Sequence, residues 1–109
     1  MKEIKLGKIK IVSFGYGGYQ EAMFGVYFDI TGKSWGVSDF WGTWAHNPDK
    51  HCKWTLADQS KIFADTTRKI KKLLDAAGKT ELSQLKGVPV EVTFNGQSLE
   101  SWRVLTEVI

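Results

Sequence analysis

A chain of 109 residues with 42% hydrophobic and 25% charged residues is the size of one small globular domain and excludes a disordered polypeptide. Its net charge of +3 is too mild to indicate nucleic acid by itself. A single cysteine, Cys52, rules out an internal disulfide and suits a reducing compartment. The N-terminal Met1-Lys2-Glu3-Ile4-Lys5-Leu6-Gly7-Lys8 has no apolar core of the kind a secretory leader needs. No apolar run approaches the roughly 20 residues that span a bilayer, so the expectation is a cytoplasmic protein with no membrane partner. Five Trp, six Phe and three Tyr are present, and eleven of these fourteen lie between Phe14 and Trp54.

From Lys2 to Val12 charged residues alternate with Ile, Leu and Val, which predicts a strand. Ile4 and Leu6 are even-numbered, Ile9 and Ile11 odd. This change of phase implies a bulge near Gly7, or two short strands. Phe14-Gly15-Tyr16-Gly17-Gly18-Tyr19 then reads as a flexible aromatic loop. Ala22, Phe24, Val26, Phe28 and Ile30 alternate with Met23, Gly25, Tyr27 and Asp29 as a second strand. Thr31-Gly32-Lys33 is its turn, and Ser34 to Phe40 a third strand returning beside it.

The stretch from Gly42 to Trp54 shows no period and contains Asn47-Pro48-Asp49, a turn signal. Thr55-Leu56-Ala57-Asp58 places a hydroxyl three residues before a carboxylate, a variant of the capping box. Ile62, Phe63, Thr66, Ile70, Leu73, Leu74 and Ala77 then mark one face of a helix over 56–77. Gly78 supplies its stop after a last turn rich in lysine. Thr80 to Leu85 suits one more helical turn. Val88, Val90, Val92 and Phe94 alternate, Asn95-Gly96 is a hairpin signal, and Leu99, Trp102, Val104, Thr106 and Val108 return. The step from Leu99 to Trp102 breaks period two and implies another bulge. The order β-β-β-α-β-β gives an α+β domain: an antiparallel sheet of about five strands with one long helix across one face.

No combination of residues points to catalysis. His46, Asp49, His51 and Cys52 share one loop and are all ligand types for zinc, but adjacent His51 and Cys52 fit poorly around one tetrahedral ion. A metal-dependent enzyme built on this loop is therefore the third reading, and no metal or cofactor is expected. Gly15, Gly17 and Gly18 fall short of a dinucleotide fingerprint because a strand, not a helix, follows. Lys61, Arg68, Lys69, Lys71, Lys72 and Lys79 lie off the apolar stripe of the helix and could meet phosphates or an acidic protein surface. Trp35, Phe40, Trp41 and Trp44 fall within ten residues, and alternation can bury only about half of the local aromatics. Phe24, Phe28, Trp35 and Trp102 are expected in the core. Tyr19, Trp41 and Trp44, at strand ends or in loops, are candidate contact residues, since Trp and Tyr combine rigid area with a polar handle.

Trp35-Gly36-Val37-Ser38-Asp39-Phe40-Trp41-Gly42-Thr43-Trp44, Lys53-Trp54-Thr55-Leu56-Ala57-Asp58, Val90-Glu91-Val92-Thr93-Phe94 and Ser101-Trp102-Arg103-Val104-Leu105-Thr106-Glu107-Val108-Ile109 resemble segments of small phage and prophage proteins. That resemblance covers most of the chain and implies an accessory role in a bacterial host cytoplasm, such as inhibition of host defence in the manner of anti-CRISPR proteins. The leading expectation is a non-enzymatic protein that binds a host protein or nucleoprotein complex through Tyr19, Trp41, Trp44, Lys61, Arg68, Lys69, Lys71 and Lys72. The alternative is a single-stranded nucleic-acid-binding or recombination accessory protein whose aromatics stack on bases.

Overall fold

A computed structural model describes residues 2–108. Five strands, β1 (Lys2–Gly17), β2 (Met23–Gly32), β3 (Trp35–Trp44), β4 (Pro89–Asn95) and β5 (Ser98–Val104), form one antiparallel sheet in the order β3-β2-β1-β4-β5. One long helix, α1 (Leu56–Ala77), lies between β3 and β4 in the chain. The architecture is α+β, with two sequential hairpins flanking the N-terminal strand.

The ends of α1 follow from its caps. The Thr55 hydroxyl accepts the Asp58 amide at 3.1 Å, and the Asp58 carboxylate accepts the Thr55 amide at 2.8 Å. These two bonds satisfy donors that a helix start leaves open. Gly78 ends the helix in the left-handed region, with φ +68°. The last turn itself contains no basic residue; Lys71 and Lys72 sit one turn earlier, so cation–dipole stabilisation is not what stops the helix there.

The strands run further than their hydrophobic patterns suggest. Phe14 to Gly17 belongs to β1 and pairs with Met23 to Val26, so it is a strand and not a flexible loop. The residues that blur its pattern are glycines, whose backbone pairs in a ladder without contributing to alternation. Similarly, β3 continues past Phe40 to Trp44, and its tight turn is Lys33-Ser34, with Ser34 at φ +66°. No bulge occurs at Gly7: β1 pairs with β4 without interruption from Lys2 to Lys8, so Leu6 and Ile9 simply lie on opposite faces of one regular strand, and the register shift comes later, between Ile9 and Ile11. Ile9 is buried, whereas Ile4 and Leu6 are 61% and 63% exposed on the outer face. The second irregularity lies opposite Thr93 and Phe94, where Glu100 is the extra residue in β5.

One face of the sheet meets α1 and carries the core. Ile9, Val26, Phe28, Ile30, Val90, Val92, Phe94 and Val104 contribute from the strands, Leu73 and Ala77 from the helix, and Leu85 and Val88 from the connection after it. Leu85 closes a short helical turn over Leu82–Leu85.

On the outer face, Gly15, Gly25 and Gly42 stand in one row across β1, β2 and β3. The Tyr27 and Phe40 rings meet beside this row at 4.4 Å between centroids. A methyl group on Gly25 would strike the Trp41 carbonyl and lie 2.7 Å from the Gly42 Cα and 2.9 Å from the Phe40 ring. Bare backbone is what lets β2 and β3 approach under those rings. Gly25→Ala is expected to lower unfolding stability by about 2 kcal/mol or more through overpacking. Gly36→Ala is the control, because its added methyl meets nothing closer than 3.6 Å and should leave stability within about 1 kcal/mol of wild type. Urea denaturation of both variants tests the contrast.

Candidate binding surface

Although β3 and β5 are opposite edges of the sheet, their side chains meet on the helix side. Trp41 of β3 stacks on Trp102 of β5 with centroids 5.5 Å apart and planes 11° apart. Phe28 from β2 inserts edge-on beneath both, at 4.7 Å and 5.0 Å. Asp39 joins the pair: its Oδ2 accepts the Trp102 indole N–H at 2.7 Å and the Trp41 indole N–H at 3.1 Å, and its Oδ1 accepts the Phe40 amide at 2.9 Å. The sheet therefore curls until its two edges touch. On the exposed side of this seam, the Lys69 ammonium lies 5.1 Å from the Trp41 ring centroid. Lys69, Lys72, Leu73 and Ala76 of α1 face Trp41, Trp102 and Val104 across a shallow groove of about 220 Å³.

A second aromatic group gathers at the end of the sheet where β1 stops and β2 begins. Trp44 is 41% exposed and stacks near-parallel on Trp54 at 6.4 Å. His46 completes a triangle, 6.1 Å from Trp44 and 5.4 Å from Trp54. Buried Gln59 holds this loop against the first turns of α1, donating from Nε2 to the carbonyls of Trp44 at 2.7 Å and His46 at 2.9 Å. Tyr19, 85% exposed, stands at the same end: the Ala22 amide bonds its carbonyl, and the Ala45 amide bonds that of Ala22. Trp44 and His46 thus sit on backbone held by β3 and by Gln59, Tyr19 sits on a turn tied by the Ala22 amide, and Trp54 joins them through its ring just before the α1 cap.

The basic face of α1 is partly neutralised. Lys61 and Arg68 both pair with Asp65, at 3.2 Å and 3.0 Å, and Lys71 pairs with Asp75 at 2.8 Å. The Asp65 carboxyl is held below its ordinary pKa, chiefly by the Lys61 hydrogen bond, and the Lys71 ammonium is raised by its bond to Asp75. These pairs are solvent-exposed and therefore weakly held. Lys69 and Lys72 make no ion pair among the described residues, and both line the seam groove.

Of the residues expected to bind, Tyr19 and Trp44 lie together at the aromatic end, while Trp41, Lys69 and Lys72 lie together at the seam. Lys61, Arg68 and Lys71 are spread along the exposed helix. Trp41 and Trp44 lie within β3 and not beyond it. Trp54 and His46 belong with Trp44, a grouping that their ring contacts reveal and the sequence alone does not. In the loop after β3 the Asp49 carboxylate accepts the His51 amide at 2.8 Å. No set of three or more His, Cys, Asp or Glu side chains among the described residues is grouped to hold a metal ion. No helix among them is long and apolar enough to cross a membrane. Comparison with protein-family models, with curated proteins and with solved structures gives no match for this chain.

The seam predicts a large stability effect. Asp39→Leu would leave two indole N–H groups without their acceptor and is expected to cost about 3 kcal/mol or more. Trp41→Ala is expected to cost about 3–5 kcal/mol, as for a large aromatic removed from packed surroundings. Chemical denaturation followed by tryptophan fluorescence measures both; a change below about 1 kcal/mol for Asp39→Leu would show that the seam does not hold the sheet.

Proposed function

We propose that this is a non-enzymatic binding protein, encoded by a phage and acting in the bacterial cytoplasm, that docks on a host defence protein or nucleoprotein complex. One observation carries the binding reading: exposed Tyr19, Trp44 and His46 and half-buried Trp54 gather at one end of the molecule, with Trp44 and His46 on backbone held by β3 and Gln59. Rigid exposed aromatics lose little conformational entropy on contact and provide large area, the properties of interface hot spots. Lys61, Arg68, Lys69, Lys71 and Lys72 extend this surface along α1 with positive charge, which suits an acidic partner surface. The phage origin and the host-defence target rest on the sequence resemblance alone.

Affinity capture from a bacterial lysate, with and without nuclease, tests the reading. A protein partner retained after nuclease treatment supports it. Loss of all bound material on nuclease treatment would favour the nucleic-acid alternative, in which Trp44 and Trp54 stack on unpaired bases. Tyr19→Ala and Trp44→Ala are each expected to weaken capture by about 2 kcal/mol or more. Their melting temperatures should stay far closer to wild type than that of Trp41→Ala. Normal capture by a folded Tyr19→Ala/Trp44→Ala double variant would overturn the assignment of this surface.

A further inference from the structure

β1 is shared between two partners that barely overlap. Lys2 to Lys8 pair with β4, and the ladder on that side closes with the Ile9 amide on the Val88 carbonyl at 3.0 Å and the Gly87 amide on the Ile9 carbonyl at 2.7 Å. From Ile11 to Gly17 the strand pairs only with β2. Its other edge has no strand beside it among the described residues, so alternate backbone N–H and C=O groups there face outward. Along this edge Phe14 and Tyr16 are 53% and 66% exposed. They pack edge-on against Phe24, at 5.4 Å and 5.1 Å, and Phe24 in turn meets Phe63 of α1 at 6.0 Å. An open strand edge bordered by exposed aromatics is the arrangement that native sheets ordinarily avoid.

We propose that this edge pairs with the same edge of a second copy, antiparallel about a two-fold axis at Phe14, making one continuous ten-stranded sheet. The strand is complementary to itself in that register. On the helix side, Phe14 meets its symmetry mate and Val12 meets Tyr16, giving apolar and aromatic cross-strand pairs. On the outer face, Ser13 falls opposite the bare Gly15, and Ile11 falls opposite Gly17, where the Tyr27 ring lies over the backbone and offers it an apolar neighbour. A methyl group on Gly15 would meet nothing within 4 Å in the single chain, which leaves room for the neighbour. Charge agrees as well. Lys10 is the only charged residue from Lys10 to Gly18, and the two-fold sends the two Lys10 residues to opposite ends of the paired segment. Each then lies opposite Gly18 of the other copy, with Glu21 as the next charge along that chain. A shift of one residue in either direction loses the side-chain match on both faces.

Sedimentation equilibrium on the full chain is expected to show a dimer at about 100 μM. Phe14→Lys places two like charges face to face on the axis and is expected to give a monomer, with circular dichroism confirming a folded chain. A cysteine scan in a Cys52→Ser background then reads the register. Phe14→Cys should cross-link efficiently under mild oxidation, because directly opposed residues lie about 4.5–5.5 Å apart at Cα, within disulfide reach. Tyr16→Cys, whose opposite number is Val12, should not. A wild-type chain that stays monomeric, a Phe14→Lys variant that remains dimeric, or cross-linking at Tyr16→Cys and not at Phe14→Cys would each overturn the proposal.

Discussion

A single carboxylate holds the two ends of this sheet together. Asp39 accepts indole hydrogen bonds from Trp41, two residues away on its own strand, and from Trp102, sixty-three residues away on the opposite edge. Five twisted strands left open would splay, with a wide trough between their edges. Here hydrogen bonds to a charged acceptor, each worth about 1.5–3 kcal/mol, join edge to edge while Trp41, Trp102 and Phe28 fill the space below. The remaining oxygen accepts the Phe40 amide, so the carboxylate stays satisfied where it is partly shielded from water. The curl that results is what allows one helix to cover the core: α1 need only lie over the seam and the concave floor.

This constraint divides the aromatic residues by task. Trp41 and Trp102 spend both ring face and N–H on the seam, and Phe28 is fully enclosed beneath them. Trp44, three residues beyond Trp41 on the same strand, points the other way and reaches the surface beside Trp54 and His46. Lys69 belongs to the seam, because its ammonium lies against the exposed face of the Trp41 ring, whose other contacts are structural. Positive charge along α1 therefore sits on a scaffold whose position is set by the seam, and a partner reading that charge meets a surface of fixed shape.

How much of this could be read from the chain depends on the range of the interaction. The helix from Leu56 to Ala77, its Thr55 and Asp58 cap, its Gly78 stop and the irregularity after Leu99 are local, and each was legible in a few neighbouring residues. The continuation of β1 through Gly15 and Gly17 was not, because glycine carries no side chain to report which face it is on. Which face Ile4 and Leu6 take was not legible either, because alternation shows that two residues share a face but not which face is covered. The role of Asp39 lay outside local pattern altogether. Nothing near it in the chain announces Trp102, and only the curl brings the two strands together. Trp44 and Tyr19 were legible as strand-end aromatics, whereas His46 is held there by Gln59, an apparently ordinary polar residue of the helix, and Trp54 joins the group through ring contacts alone.

The division of β1 between two hairpins also bears on how the chain assembles during synthesis. Its C-terminal half meets β2 within a few residues, as Gly17 lies opposite Met23. Its N-terminal half waits for β4, with Lys2 opposite Asn95 more than ninety residues later. Closing so long a loop is entropically costly and slow relative to forming the adjacent hairpin. As the chain leaves the ribosome, β1, β2 and β3 can form a meander while the other side of β1 is still unpaired. The Asp39 seam cannot close until Trp102 has emerged. The nascent chain thus carries Ile4 and Leu6 on an unfinished edge until β4 emerges, an interval in which ribosome-associated chaperones would have their best access to it.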